Sequence, residues 1–434
     1  MARFRQLIAF ATLILFCSSV YGITTNGNGQ VISTIKPAGG GDFTTLQSWY
    51  DTWAKLQTNP AQWAECYAGG SGLGTFVPTV PVPASNTPTA TSFMRIYVPQ
   101  AERFDAIGTG GAFVLCSAAT GILIGNSVAY TRFEGLKFVL SGSGQVVAGA
   151  GAGNLFDSIW VSRLTDNNGG VNQCFSCNFS TNPYPAYVVL RNIVYQGNGL
   201  KASSQYLETL QAGIIRIQNQ SVSNAIPTYG TAVVQNVTID GVATNWSSVS
   251  CSATRLLGSP TGAYITVYMD NVVETRHADT NHVFVATNLR TNNPLCTLTV
   301  YQNNCFTTDS TATNWYVYAG TARGTDVPGV TIVTSNSVGN MAFSDCFTTA
   351  GFPQINMYNS RLLNAGSTNA TAVAQALFPD YDFSKDAFGN PRIFGPAIDV
   401  GAMELQYNLL PMRLSSGEGS FVMFPDGRVV YIMR

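Results

Sequence analysis

From residue 188 onward, apolar and polar positions alternate in short runs that end on asparagine. The runs are VVLRN (188–192), IRIQN (215–219), AVVQN (232–236), VYMDN (267–271), VYQNN (300–304), IVTSN (332–336) and INMYN (355–359). Their asparagines, Asn192, Asn219, Asn236, Asn271, Asn304, Asn336 and Asn359, are 27, 17, 35, 33, 32 and 23 residues apart. That is the spacing at which one structural repeat follows another in a solenoid. Four positions before each asparagine the residue is always apolar, two before it is mostly apolar, and one before it is nearly always polar. Period-2 alternation of this kind predicts strands with one buried and one outer face. Asparagine shares parity with the apolar columns, which predicts that it points inward and pairs with its neighbours above and below as a ladder. An ordinary β-sandwich with asparagine-rich turns is the competing architecture.

Upstream, alternating segments begin at FMRIYVP (93–99) and continue through FVLCS (113–117), GILIG (121–125) and YTRFEGLKFVL (130–140). Before them lies an amphipathic stretch in which Thr44 and Gln47 have capping-box spacing, and Leu46, Trp49 and Trp53 share one helical face. This predicts a short helix that plugs one end of the solenoid. The predicted domain order is a leader at 1–22, a lead-in with capping helix and loop at 23–92, strands at 93–405, and a C-terminal extension at 406–434. In that extension FVMF and RVVYIM flank Pro425-Asp426-Gly427, which predicts a β-hairpin serving as a cap or docking element.

Three segments carry a resemblance. IKPAGGGDFTTLQSWYDTWA (35–54), YTRFEGLKF (130–138) and the FGNPR…IDVGAME run (388–404) resemble the opening and closing signatures of right-handed parallel β-helix proteins of the pectin-lyase-like superfamily. The resemblance spans roughly residues 35–405 and implies an all-β, right-handed parallel β-helix. It implies no single activity, because that superfamily holds polysaccharide lyases and hydrolases, tailspike-like and adhesion proteins, and virion or surface structural proteins.

Bulk composition narrows the partners. Lys+Arg 22 against Asp+Glu 23 leaves a net charge of −1, and only 10% of residues are charged, so no basic face for nucleic acid is expected. Residues 1–22 have a basic start, an apolar run and a small-residue end, which predicts an export signal and a secreted, extracellular or virion-surface location. No later run is apolar enough for a membrane span. Eight cysteines follow the leader; no pairing is assigned, and several are expected as small buried residues. His277 and His282 are the only histidines, so no metal or other cofactor is expected.

The densest group of candidate catalytic side chains is Asp240, Asp270, Glu274, His277 and Asp279. These are the weak catalytic candidates for polysaccharide cleavage, which calls for two carboxylates about 5–9.5 Å apart. Counted from their asparagines, however, Asp240 and Glu274 have opposite parity and fall on opposite faces. Tyr268 and Tyr301 lie three positions before consecutive asparagines, beside Gln235, Asp270 and Asn303. Together these five predict an outward ledge for a polysaccharide or cell-surface glycan. The chain therefore reads first as a glycan-binding, adhesion or structural appendage protein, with possible homo-oligomers through the hairpin. A secreted polysaccharide lyase or glycoside hydrolase is the alternative.

Overall fold

The computed structural model describes residues 23–54, 61–70, 72–74, 76, 89–105, 108, 110–117, 129–141, 146–150, 153–163, 174–179, 186–197, 213–221, 227–241, 247–255, 262–275, 283–290, 296–308, 316–318, 329–347, 355, 360–393, 396–404, 408–414, 417–423 and 429–433. The leader, His277, Asp279 and Asn359 lie outside them.

The chain is mostly β. Its largest sheet has fifteen strands and, after an antiparallel first pair, is parallel throughout. Its central path runs through Val31–Ile35, Gln62–Cys66, Met94–Tyr97, Thr131–Glu134, Asn154–Arg163, Ala186–Gln196, Thr228–Asp240, Ala263–Thr275, Thr297–Asn303 and Val330–Ser335. A second parallel sheet of six strands contains Phe175–Asn178, Gly213–Ser221, Ser247–Arg255 and Val283–Arg290. From residue 147 to 335 the chain alternates between the two sheets, except that Thr297–Asn303 and Phe306–Thr308 follow one another in the large one, an order compatible with a β-helix. One apolar core joins them: Val188, Leu190, Ala232, Val234, Val267 and Met269 of the first sheet pack with Phe175, Cys177, Ile215, Ile217, Val249 and Cys251 of the second. All eight described cysteines are buried and unbridged. Burial pushes the Cys177 and Cys251 thiols up to about 12, which keeps them unreactive.

The asparagine column differs from expectation in two ways. Asn219 does not belong to it. That residue lies in the second sheet, and its Nδ2 donates to the Thr228 and Tyr264 carbonyls at 3.0 Å each. The true step from Asn192 is 44 residues, to Asn236. The side chains also face outward. Asn192, Asn236, Asn271, Asn304 and Asn336 have φ between 47° and 59°. A left-handed residue bends the strand and resets its alternation. Leu190 and Ile193 both enter the core, so Arg191 and Asn192 share the outer side, where both bond to the carbonyl of Lys385. The ladder itself is present on that side. Asn271 Nδ2 donates to Asn236 Oδ1 at 2.9 Å, Asn236 Nδ2 to Asn192 Oδ1 at 3.4 Å, and Asn192 Nδ2 to Asp157 Oδ1 at 2.8 Å. Ser158 (φ 58°) and Gly135 (φ 72°) continue the left-handed column toward the N-terminus.

Two α-helices are described. In Leu46–Thr52 the capping hydroxyl is that of Thr45, not Thr44, and it accepts from the Ser48 amide at 3.1 Å. Gln47 instead donates to Asp51 at 2.7 Å. The second helix, Asn369–Leu377, belongs to a segment that crosses the outer face of the large sheet. Its Ala370, Ala374 and Phe378 pack with Leu155, Val189 and Val233. Beyond residue 404, Asn408–Leu414, Gly417–Met423 and Val429–Met433 form a separate three-stranded antiparallel sheet, one strand more than a hairpin.

Candidate functional site

Strand register aligns the outer face into columns. A polar column runs through Glu65, Tyr97, Glu134, Asp157, Arg191, Gln235, Asp270, Asn303 and Ser335, and from Glu134 onward each member immediately precedes a left-handed residue. Two residues earlier runs a second column, from Trp63, Arg95 and Arg132 to Tyr268, Tyr301 and Val333. The face divides into three zones.

In the first zone, Arg95 forks onto Glu134, with Nε and Nη2 donating at 2.7 and 2.6 Å. Its guanidinium lies 4.7 Å from the Trp63 ring centre and 4.4 Å from that of Tyr97. Glu65 accepts from the hydroxyls of both Tyr97 and Tyr67. The bond to Glu65 pushes the Tyr67 phenol up to about 12. This patch of Trp63, Glu65, Arg95 and Tyr97 was not singled out by the asparagine pattern, because its strands end on Cys66, Val98 and Gly135. Anchoring the alignment on Gly135, another left-handed position, would have revealed it.

In the middle zone the polar column is occupied by the chain's own residues 367–385. Tyr381 donates to Asp157 Oδ2 at 2.6 Å, and Arg191 Nη2 donates to the Phe383 and Lys385 carbonyls at 3.0 and 2.7 Å. Gln235 reaches the Thr371 hydroxyl. Asp270 Oδ2 accepts from the Ala370 amide at 2.9 Å, and Asn271 exchanges two bonds with the Ser367 backbone. Gln235 and Asp270 are therefore buried under the Asn369–Leu377 helix, and neither contributes to an open ledge. Burial raises the Asp270 carboxyl to about 6, against the opposing pull of the Ala370 amide.

The remaining acids do not gather. Asp240 and Glu274 are both buried, and Glu274 lies in register with Ile239, a core residue, whereas Asp240 aligns with Gln196 and Thr275. Among the described residues no cluster of three or more His, Cys, Asp or Glu could hold a metal ion.

The third zone is the more open, although Tyr268 at its edge packs against the cluster that includes Ala370 and Ala374 of the second helix. Tyr268 and Tyr301 stack at 5.0 Å with their planes 10° apart, and Tyr229 and Tyr264 stack at 4.8 Å and 15°. Between the two pairs lies a column of Thr231, Thr266, Thr299 and Thr331, partly to fully exposed. Each tyrosine spends one ring face on its neighbour, so a sugar cannot insert within a pair. What remains is a track of hydroxyls and ring edges, with Asn303 half-buried beside Tyr301.

No family model matches this chain, and no curated protein or solved structure matches it either. No helix among the described residues is long and apolar enough to cross a membrane.

Proposed function

We propose that this chain is a right-handed parallel β-helix of pectin-lyase-like type that is exported and acts outside the cell, or on a virion surface, by binding glycans along its outer face. The alternation of strands between two parallel sheets supports the winding, and the basic-apolar leader supports export. The observation that carries the binding reading is the threonine column flanked by two tyrosine pairs. Adjacent strands lie about 4.8 Å apart, so four threonines make a track roughly 14 Å long, and the tyrosine pairs stand roughly 13 Å apart along the strands. Hydroxyl donors and acceptors at regular spacing, bounded by aromatic edges, suit the hydroxyl-rich flank of a linear sugar chain. An appendage subunit would use the same wall without a ligand. The lyase or hydrolase alternative loses three of its named acids, since Asp240, Asp270 and Glu274 are all buried.

Affinity electrophoresis of the whole protein through gels containing neutral or acidic polysaccharides tests the proposal. Retardation by at least one polymer, with no shortening of its chains, is the expected result. Chain shortening, or new unsaturated ends, would move the chain to the enzyme class; no retardation by any polymer would leave the structural role.

A further inference from the structure

A second site adjoins the N-terminal end of the threonine track, since its wall residue Tyr187 is in register with Thr231, and there residues 377–380 close over the strands that begin at Met94 and Thr131. There a cavity of about 230 Å³ is walled by Phe93, Tyr130, Tyr187 and Phe378, with Arg132 and Asp380 as its charged groups. Three features mark it as built. Arg132 is 5% exposed, and its guanidinium lies 3.4 Å from the Phe93 ring centre. It pairs through Nη2 with Asp380 at 2.7 Å, while its buried Nε has no hydrogen-bond partner among the described residues. An unpaired buried N–H of a charged group is costly and calls for an acceptor. Tyr130 holds φ 53°, a strained conformation for a bulky side chain. The strain is fixed by the Met94 amide on the Tyr130 carbonyl, and by Gly153, where a Cβ would come within 2.3 Å of the ring.

We propose that this cavity binds a flat, ring-bearing monocarboxylate, its ring between the aromatic walls and its carboxylate on Arg132. Anion and cation are complementary there, and a ligand carboxylate would accept a charge-assisted hydrogen bond from the same guanidinium that Asp380 now holds through Nη2. The walls are largely apolar, which favours a flat hydrophobic ring over a polyhydroxylated one. Asp380, with a side chain 51% exposed, is the internal competitor for the same guanidinium. This inference does not depend on the glycan reading.

Titration of the full chain with sodium benzoate, benzamide and sodium glucuronate, followed by calorimetry, tests it. Benzoate is expected to bind at one saturable site, and the neutral isostere benzamide about tenfold more weakly. Asp380→Asn removes a competing charge at an exposed position, and is expected to tighten benzoate by roughly threefold while leaving benzamide unchanged. Tyr130→Gly relieves the backbone strain and removes one wall, so the protein stays folded and benzoate affinity falls. No saturable benzoate binding, equal affinity for benzamide, equal or tighter binding of glucuronate, or no response to Asp380→Asn overturns the proposal. Thr266→Val lies outside the cavity and leaves benzoate binding unchanged, so failure here is separable from failure of the glycan reading.

Discussion

The Asp270 carboxylate accepts the amide of Ala370 at 2.9 Å, joining the outer wall of the large sheet to the first turn of a helix one hundred residues later. The helix has no side-chain cap of its own, so a strand residue supplies the acceptor its free amides need. Burial outweighs that stabilisation and leaves the carboxyl at about 6 instead of 3.8. The folded protein thus holds this proton more tightly than the unfolded chain. Asp270 adds no penalty below the unfolded value. Between about pH 4 and pH 6 its contribution reduces stability as pH rises, by about 3 kcal/mol at most. Asp386, also raised by burial, acts in the same direction. Urea unfolding from pH 4 to pH 7 should therefore show a decline that Asp270→Asn flattens; an unchanged slope in the variant would show that Asp270 titrates normally.

At Asn236 the ladder and the left-handed backbone act together. Asn236→Ala loses the amide bonds and leaves a Cβ residue at φ 55°, at an expected cost of about 2–4 kcal/mol. Asn236→Gly loses the same bonds but tolerates the backbone, and should recover roughly 1 kcal/mol of that cost. Chemical denaturation of both variants checks the order. Equal destabilisation would show that the bonds alone matter.

Arg191 anchors the returning segment through the Phe383 and Lys385 carbonyls, and pairs with Asp157 at 3.5 Å. Its removal takes the counter-charge from buried Asp157 and the guanidinium from the Phe383 carbonyl, and leaves the Lys385 carbonyl with the Asn192 amide alone. Arg191→Met should cost about 3–5 kcal/mol. Limited proteolysis should then cut first within residues 367–385. Cleavage at the wild-type sites and rate would mean that the segment is held by its apolar contacts alone.

Much of the architecture was legible as alternation. The columns before Asn192, Asn236, Asn271, Asn304 and Asn336 pair in register as the pattern implies. Three things were not legible. Positive φ leaves no mark on polarity, so the outward turn of Asn192 and its equivalents, and the membership of Ser158 and Gly135, could not be read from period-2 counting. The burial of Gln235 and Asp270 depends on residues 367–385 returning across strands 136 and 100 positions earlier, and local pattern carries no such contact. The tyrosine positions were readable from spacing, but the pairing of Tyr268 with Tyr301 face to face was not.

Glycan binding along the threonine column is tested most directly by isothermal titration of the polysaccharide that retards the wild-type protein most, against a Thr266→Val, Thr299→Val double variant. Valine keeps the shape of each side chain and removes only the hydroxyl. The expected result is affinity about tenfold weaker, corresponding to about 1.4 kcal/mol of lost hydrogen bonding, with thermal stability held. Unchanged affinity in a folded double variant would contradict the assignment of the track as the binding surface.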